Sequence, residues 1–183
     1  MTGAWSLPKS ANIGGVEHPI NTDYRDILEI IEYLNDKSRP EYLRWQIAIG
    51  LFYDGEISYQ NQQEAMEYMA RFISYGEEKN NPGPKLLDWE QDAQLIVSDV
   101  NAVAKTEIRA LPYLHWWTFL SYFYCIGEGQ LSTIVSIRSK KKKGKKLEKW
   151  EEEYYRENKD RIEFRNPHNG IDDGIKSYFE KWL

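Results

Sequence analysis

His115, Thr118, Ser121 and Cys125 are the residues whose types and spacing could perform chemistry. They recur at intervals of three, three and four positions, so a helix would carry them on one side. A histidine beside hydroxyl and thiol groups could act as the base of a nucleophilic site. However, no glycine turn that could form an oxyanion hole accompanies them, and we expect Cys125 to lie deep among aromatic side chains, where a reactive thiolate is disfavoured. The stripe therefore favours close helix packing, and we do not expect an enzyme.

A metal or cofactor site is not predicted either. The chain has three histidines (His18, His115 and His168) and one cysteine, and none of them stands at metal-ligand spacing. Neither glycine-rich phosphate-binding motif, GxxxxGK[ST] or GxGxxG, occurs in the sequence. We therefore expect no cofactor, and we expect His115 to be a core histidine hydrogen-bonded to a carbonyl or hydroxyl group.

The element that would position these residues is a predicted helix over 111–127. Seven aromatic residues lie between Tyr113 and Tyr124, and a helix that is apolar nearly all round is normally buried. A membrane span needs about 20 mostly apolar residues, whereas this run is shorter, contains polar side chains and ends in "GEG". We predict a central core helix whose structural residues are His115, Trp116, Trp117, Phe119, Leu120 and Phe123.

The remaining pattern predicts an all-α fold, a single helical domain of about six to eight helices around the central helix. Helical spacing of apolar residues begins at 22–36, with Asn21 or Thr22 as the N-cap. Asp88, with Gln91 three residues on, would cap the fourth helix. The predicted regions are an extended N-terminal arm (1–21), a helical core domain (22–139), and a lysine-rich connector with charged C-terminal helices packed on or projecting from the core (140–183).

Composition limits the partners that the chain can have. The 41% hydrophobic and 29% charged residues are typical of a folded soluble protein. The net charge is −5, and because "KKKKGKK" at 140–146 carries six positive charges, the rest of the chain sums to −11. Nucleic-acid affinity of the whole protein is therefore disfavoured. The single cysteine excludes an intramolecular disulfide and fits a reducing compartment, and no secretory signal is visible.

The lysine run has three interpretations, which are a solvated helix end, a surface that docks an acidic partner such as a second copy of the chain, and a phosphate-binding patch. It lacks interleaved aromatic residues and arginines, so base recognition is not indicated. The poorly apolar segment 149–162 and the C-terminal tail are further candidates for partner contacts, because Trp and Tyr provide large contact areas. The predicted partner-binding residues are Lys140, Lys141, Lys142, Lys143, Lys145, Lys146, Trp150, Tyr154, Tyr155 and Trp182.

Three stretches of the chain together resemble the bacteriophage Gp15 family. "WSLPKSANIGGVEHPINTDYRDIL" is similar to the opening of that family, with its I-x-T-D-[FY]-R segment. "LLDWEQDAQLIVSDV" is similar to its middle part. "LPYLHWWTFLSYFYCIGEGQLSTIVSIRSKK" resembles its most recognisable block, an LHWW-x-F helix followed by a helix that ends in I-x-x-I-R. The resemblance covers about residues 5–165 in the family's order.

This resemblance implies a role in assembling the tails of long-tailed phages and prophages of Gram-positive bacteria. It implies a tail assembly chaperone that binds the tape-measure protein and recruits tail-tube subunits in the host cytoplasm. A structural component of the tail or tail tip is the alternative, and a nucleic-acid-binding phage protein is a lesser one. The family defines no catalytic residues, so Thr22, Asp23, Arg25, His115, Trp116, Trp117 and Arg138 could be structural or binding residues.

Overall fold

The structure of the protein is a computed structural model that describes residues 5–75 and 85–165. Within these ranges it contains two strands, eight α-helices and two short 3-10 turns, Tyr59–Asn61 and Ile108–Ala110. The predicted all-α class is therefore confirmed. The elements are β1 (Ser10–Ile13), β2 (Val16–Pro19), α1 (Tyr24–Asn35), α2 (Glu41–Phe52), α3 (Gln62–Ile73), α4 (Ala93–Ala104), α5 (Trp116–Tyr124), α6 (Gln130–Lys142), α7 (Lys149–Glu157) and α8 (Lys159–Ile162).

The chain forms two compact units. The described residues of the first unit are 5–75 and 112–120, and those of the second are 85–111 and 121–165. Helix α5 begins in the first unit, and its last four residues belong to the second. The predicted region boundaries after residues 21 and 139 stay predictions. None of the helices in the described ranges is long and apolar enough to cross a membrane.

The N-terminal arm, predicted to be extended, forms an antiparallel hairpin in which Ile13 pairs with Val16. The turn consists of Gly14 and Gly15, which have φ angles of 58° and 82°, as a two-residue hairpin turn of this hand requires. A Cβ atom on Gly14 would lie 2.0 Å from the side chain of Asn61. Glycine is therefore required there by both conformation and space.

The N-cap of helix α1 lies one residue after Thr22 and two residues after Asn21, the two predicted N-caps. Asp23 is the N-cap, and its Oδ1 accepts a hydrogen bond from the backbone N–H of Arg25 at 3.0 Å. The predicted caps are engaged elsewhere, since Asn21 donates to the carbonyl of Leu51 and the Thr22 hydroxyl contacts that of Tyr113. Of the residues predicted for its apolar face, Ile27, Ile31 and Leu34 are buried and Leu28 is partly buried, while Ile30 is buried as well.

The fourth helix also begins later than predicted. The Asp88 carboxylate does accept a hydrogen bond from the N–H of Gln91, at 2.8 Å. This bond stabilises a turn that precedes α4, whose N-cap is Asp92. The side chain of Asp92 points to Arg138 and does not cap the helix. The predicted helix near the C-terminus, with Trp182, lies outside the described residues, as does His168.

Each unit has its own core. In the first unit, Phe52, Phe72, Trp116 and Phe119 are buried, and the ring of Tyr24 stacks on that of Phe119 with centroids 4.9 Å apart. In the second unit, the core cluster consists of Ile134, Ile137 and Ile162, with Leu95, Leu147, Tyr154 and Tyr155 packed against it. Clustered apolar burial of this kind is the main favourable contribution to folding.

Candidate functional site

The two tryptophans of the LHWW block cap the end of helix α3. The indole Nε1 of Trp116 donates to the carbonyl of Ile73 at 3.0 Å, and that of Trp117 donates to the carbonyl of Phe72 at 2.9 Å. The last carbonyls of a helix have no partner within the helix. Trp116 and Trp117 supply donors for two of them, so this pair fixes the C-terminus of α3 in the first unit.

His115 connects the start of α5 to the N-terminal arm. Its Nδ1 accepts the backbone N–H of Trp117 at 3.0 Å, and its Nε2 lies 2.9 Å from the carbonyl of Pro8. A carbonyl only accepts, so Nε2 must carry the proton, and Nδ1 must be free of one. Both bonds therefore require the neutral ring, and the expectation of a core histidine bonded to a carbonyl agrees with this geometry. Burial lowers the pKa of His115, nearby Lys9 adds to this, and the Pro8 carbonyl opposes it.

The lowered pKa predicts a stability that depends on pH. The unfolded chain binds a proton at His115 as the pH falls through about 6.5, whereas the folded protein takes up that proton only at a lower pH, because its pKa is lowered by burial. The contribution of His115 is therefore fully present above that pH and is lost progressively below it. Asparagine at position 115 can still accept the Trp117 N–H but does not titrate. Urea unfolding at about pH 7.5 and pH 5.5 should show a smaller pH-dependent loss for His115→Asn than for the wild type. Equal losses would contradict the neutral ring.

The TDYR segment at 22–25 is joined to the residues just before α5. The N–H of Tyr24 donates to the carbonyl of Leu114 at 2.9 Å, and the N–H of Trp116 donates to the carbonyl of Thr22 at 2.7 Å. The Asp23 carboxylate accepts the N–H of Leu114 at 3.0 Å. Burial acts to raise the pKa of Asp23, but hydrogen bonds from Arg25 and Leu114 outweigh it, and the pKa is lowered. Hydrogen bonds therefore link two family motifs, and we call this contact between residues 22–25 and residues 112–116 the joint.

This joint explains why the central helix is shorter than predicted. Residues 112–115 are held in the joint with residues 22–25, so α5 starts at Trp116 and not at residue 111, the predicted start of the run. His115, Trp116, Phe119 and Leu120 are buried, whereas Trp117 and Phe123 are only partly buried. Cys125 follows the end of α5 and is exposed, so the expectation that it lies deep among aromatic side chains is wrong.

Arg138 is buried in the second unit and bonds to residues that precede α4 and to residues at the end of α8. Its guanidinium forms a two-pronged ion pair with Asp92, with Nη1 to Oδ2 at 2.6 Å and Nη2 to Oδ1 at 3.0 Å. The side chains of Arg138 and Asp92 are only 3% and 2% exposed. Nε donates to the carbonyl of Ile162, Nη1 to that of Leu86 and Nη2 to that of Arg161. Five acceptors thus match the five donors of a guanidinium.

The partners of Arg138 connect α6 with the chain on both sides of it. Asp92 precedes α4, and Ile162 ends α8. The side chain of Gln91 reaches the same segment, since its Nε2 donates to the carbonyl of Glu163 at 2.8 Å and its Oε1 accepts the N–H of Arg165 at 2.9 Å. The middle and last family motifs therefore meet at Arg138, as the first and last meet at the joint before α5.

The first two lysines of the run form ion pairs within the chain. Lys140 Nζ lies 2.7 Å from both carboxylate oxygens of Glu151, whose side chain is 2% exposed. This hydrogen bond lowers the pKa of Glu151. Lys141 Nζ lies 2.5 Å from Glu163 and 3.6 Å from the centre of the Tyr155 ring. The four lysines that follow are exposed; they are Lys142, Lys143, Lys145 and Lys146.

An open groove of about 470 Å³ lies along α6 in the second unit. Leu86 and Val135 contribute apolar surface, serines contribute hydroxyl groups, and lysines contribute positive charge. We call it the lysine groove; its lining residues are Leu86, Ser132, Val135, Ser136, Ser139, Lys140, Lys143 and Lys145. Three of the lysines predicted to bind a partner therefore line a single concave surface.

The predicted aromatic contacts have different environments. Trp150 is 57% exposed on α7, whereas Tyr154 and Tyr155 pack against the core cluster of the second unit. Trp150 is thus better placed for a partner than either tyrosine. No group of three or more His, Cys, Asp or Glu residues able to hold a metal ion occurs in the two described ranges.

Asp92 is absent from the predicted site residues, although the sequence contains a signal for it. Asp92 stands three and four residues before Leu95 and Ile96, and Arg138 stands four residues after Ile134. Each charge therefore falls on the apolar face of a helical segment. A buried charge requires a partner, so two opposite charges on such faces predict a buried ion pair.

The architecture and these joints define a class of protein. It is a helical protein whose motif residues connect segments that are distant in sequence, while charged and aromatic side chains remain on its surface. The family model described as Bacteriophage Gp15 protein matches residues 5–164. The chain therefore belongs to the bacteriophage Gp15 family, a membership that indicates a structural or morphogenesis protein of a phage. Searches of curated proteins and of solved structures found no match.

Proposed function

We propose that this protein is a tail assembly chaperone that binds the phage tape-measure protein and helps to recruit tail-tube subunits. It would act in the cytoplasm of the host bacterium while tails assemble. The observation that carries the proposal is the family match over residues 5–164. A long helical partner with exposed apolar faces would be prone to aggregate, and a helical protein could cover those faces.

The use of the motif residues supports a function performed by surfaces. Thr22, Asp23 and Arg25 form the joint, and Trp116 and Trp117 cap α3. His115 bonds to Pro8, and Arg138 pairs with Asp92. Residues committed to bonds within the chain are poor candidates for contacting a partner. The exposed helix faces, including that of Trp150, are therefore the proposed contact regions.

Co-expression with the tape-measure protein of the same phage tests the proposal. We expect the tape-measure protein to be insoluble alone and soluble with this chain, and an affinity tag on either protein should retain the other. An unrelated acidic helical protein, expressed at the same level, is the matched control for non-specific solubilisation.

One outcome of this experiment would contradict the chaperone function, and two further measurements would then distinguish the alternatives. If the tape-measure protein stays insoluble and this chain elutes alone, the chaperone proposal fails. Detection of the chain in purified virions by mass spectrometry would then support the alternative, a structural component of the tail or tail tip. Retention on DNA that falls steeply with added salt would support the nucleic-acid alternative. The ion pairs of Lys140 and Lys141 argue against that alternative, because they engage two of the six lysines.

A further inference from the structure

The lysine groove combines three chemical features. Leu86 and Val135 give it apolar surface, Ser136 is exposed within it, and Lys143 and Lys145 are exposed lysines of its lining. A segment that fits this surface would present a large apolar side chain flanked by carboxylates. A phosphate backbone would use the lysines but gain nothing from the two apolar side chains.

Helix α7 of the same chain presents a surface with these features. Trp150, Glu153 and Glu157 are all exposed, and their spacing of three and four residues places them on one side of the helix. Glu151, which is buried against Lys140, points to the other side because it is two residues from Glu153. We call Trp150, Glu153 and Glu157 the acidic stripe.

We infer that the protein associates with itself, with the acidic stripe of one copy bound in the lysine groove of the next. Trp150 would cover Leu86 and Val135, while Glu153 and Glu157 would pair with Lys143 and Lys145. Aromatic side chains are favoured as central anchors of interfaces, and opposite charges at the edge direct the approach of the two surfaces. The remaining chain is acidic, so the lysine groove is the region where a second acidic copy meets the least repulsion.

The two surfaces are different patches of the second unit, so the contact is head-to-tail. A head-to-tail contact leaves one groove and one stripe unoccupied at the ends, and it continues into a ring or an open chain. An open chain of copies would suit a long partner. The self-association itself does not rest on the proposed function, because it requires no second protein.

Charge reversal tests the contact on the purified full-length protein. Lys143→Glu/Lys145→Glu gives every copy two acidic surfaces, and Glu153→Lys/Glu157→Lys gives every copy two basic ones. We expect sedimentation velocity to show that each variant alone self-associates at least about tenfold more weakly than the wild type. Mixing the two variants should restore association, because the reversed groove of one is complementary to the reversed stripe of the other.

Matched controls separate position from net charge. Lys142→Glu/Lys146→Glu changes two lysines of the same run that do not line the groove, and Glu29→Lys/Glu32→Lys changes two exposed residues of α1. Both should weaken association less than about threefold. Trp150→Ala should weaken it about tenfold or more without changing net charge. Circular dichroism would confirm that each variant is folded.

The inference is overturned if the wild type remains monomeric at all concentrations, or if mixing the reversed variants restores nothing. It is also overturned if the Lys142/Lys146 control is as defective as the groove variant, because a non-specific charge effect would then explain both. The co-expression experiment measures the solubility of the tape-measure protein, which is independent of the self-association measured here. A groove variant that fails to self-associate can still make the tape-measure protein soluble, so failure of one proposal is distinguishable from failure of the other.

Discussion

Replacing Arg138 with methionine is expected to lower the free energy of unfolding by about 3–5 kcal/mol. The substitution leaves the Asp92 carboxylate buried without its cation, and it removes the donors to the carbonyls of Leu86, Arg161 and Ile162. An unpaired buried charge is among the most destabilising single changes in a protein. The loss should appear in urea or guanidinium unfolding followed by circular dichroism.

Arg109→Met is the matched control for this prediction. Arg109 also forms an ion pair with a carboxylate, that of Glu107, but the two side chains are 53% and 42% exposed. Exposed ion pairs contribute little to stability because water screens them, so the control should be close to wild type. Arg138→Lys should give an intermediate loss, because an ammonium group has three donors against five. A loss of less than about 1 kcal/mol for Arg138→Met would show that the second unit does not depend on this ion pair.

Trp116→Ala is expected to destabilise the protein by about 3–5 kcal/mol. Trp116 is 1% exposed, and its ring stacks on that of Phe119 with centroids 5.5 Å apart. Alanine would leave a cavity in the core of the first unit and would remove the donor to the carbonyl of Ile73. Thermal or urea unfolding measures the loss.

Trp116→Phe separates the hydrogen bond from the packing. Phenylalanine keeps an aromatic ring but loses the indole N–H, so about 1–3 kcal/mol should be lost from the unpaired carbonyl. Trp117→Phe is the control, because Trp117 is only partly buried and the carbonyl of Phe72 also accepts the N–H of Tyr75. Its effect should be smaller. Equal effects at the two positions would contradict the assigned role of Trp116 as a buried cap.

Most of the fold could be predicted because helical periodicity is a local property of the sequence. The buried face of α1 follows from the spacing of Ile27, Ile31 and Leu34. The start of α5 could not be predicted in this way. Residues 111–115 have a pattern compatible with a helix, but backbone groups of Pro112 and Leu114 pair with residues 22–25, about ninety positions earlier in the chain. Such long-range pairing overrides local propensity.

The candidate surfaces could be predicted only in part. The lysine run is visible in the sequence, but only a fold shows that Lys140 pairs with Glu151 while Lys143 and Lys145 line a groove. The same holds for Trp150, Tyr154 and Tyr155, which are close in sequence and differ in burial. Trp150 and Tyr154 are four residues apart and are therefore neighbours on α7, so their difference in burial comes from tertiary packing and not from helix phase.

The measurement that tests the central claim most directly is the mass of the complex formed with the tape-measure protein. Light scattering coupled to size exclusion would be applied to the co-expressed and purified sample. We expect a soluble complex that contains one tape-measure chain and several copies of this protein. The opposite result would be an insoluble tape-measure protein and a peak of this chain alone, which would contradict a function as a tail assembly chaperone.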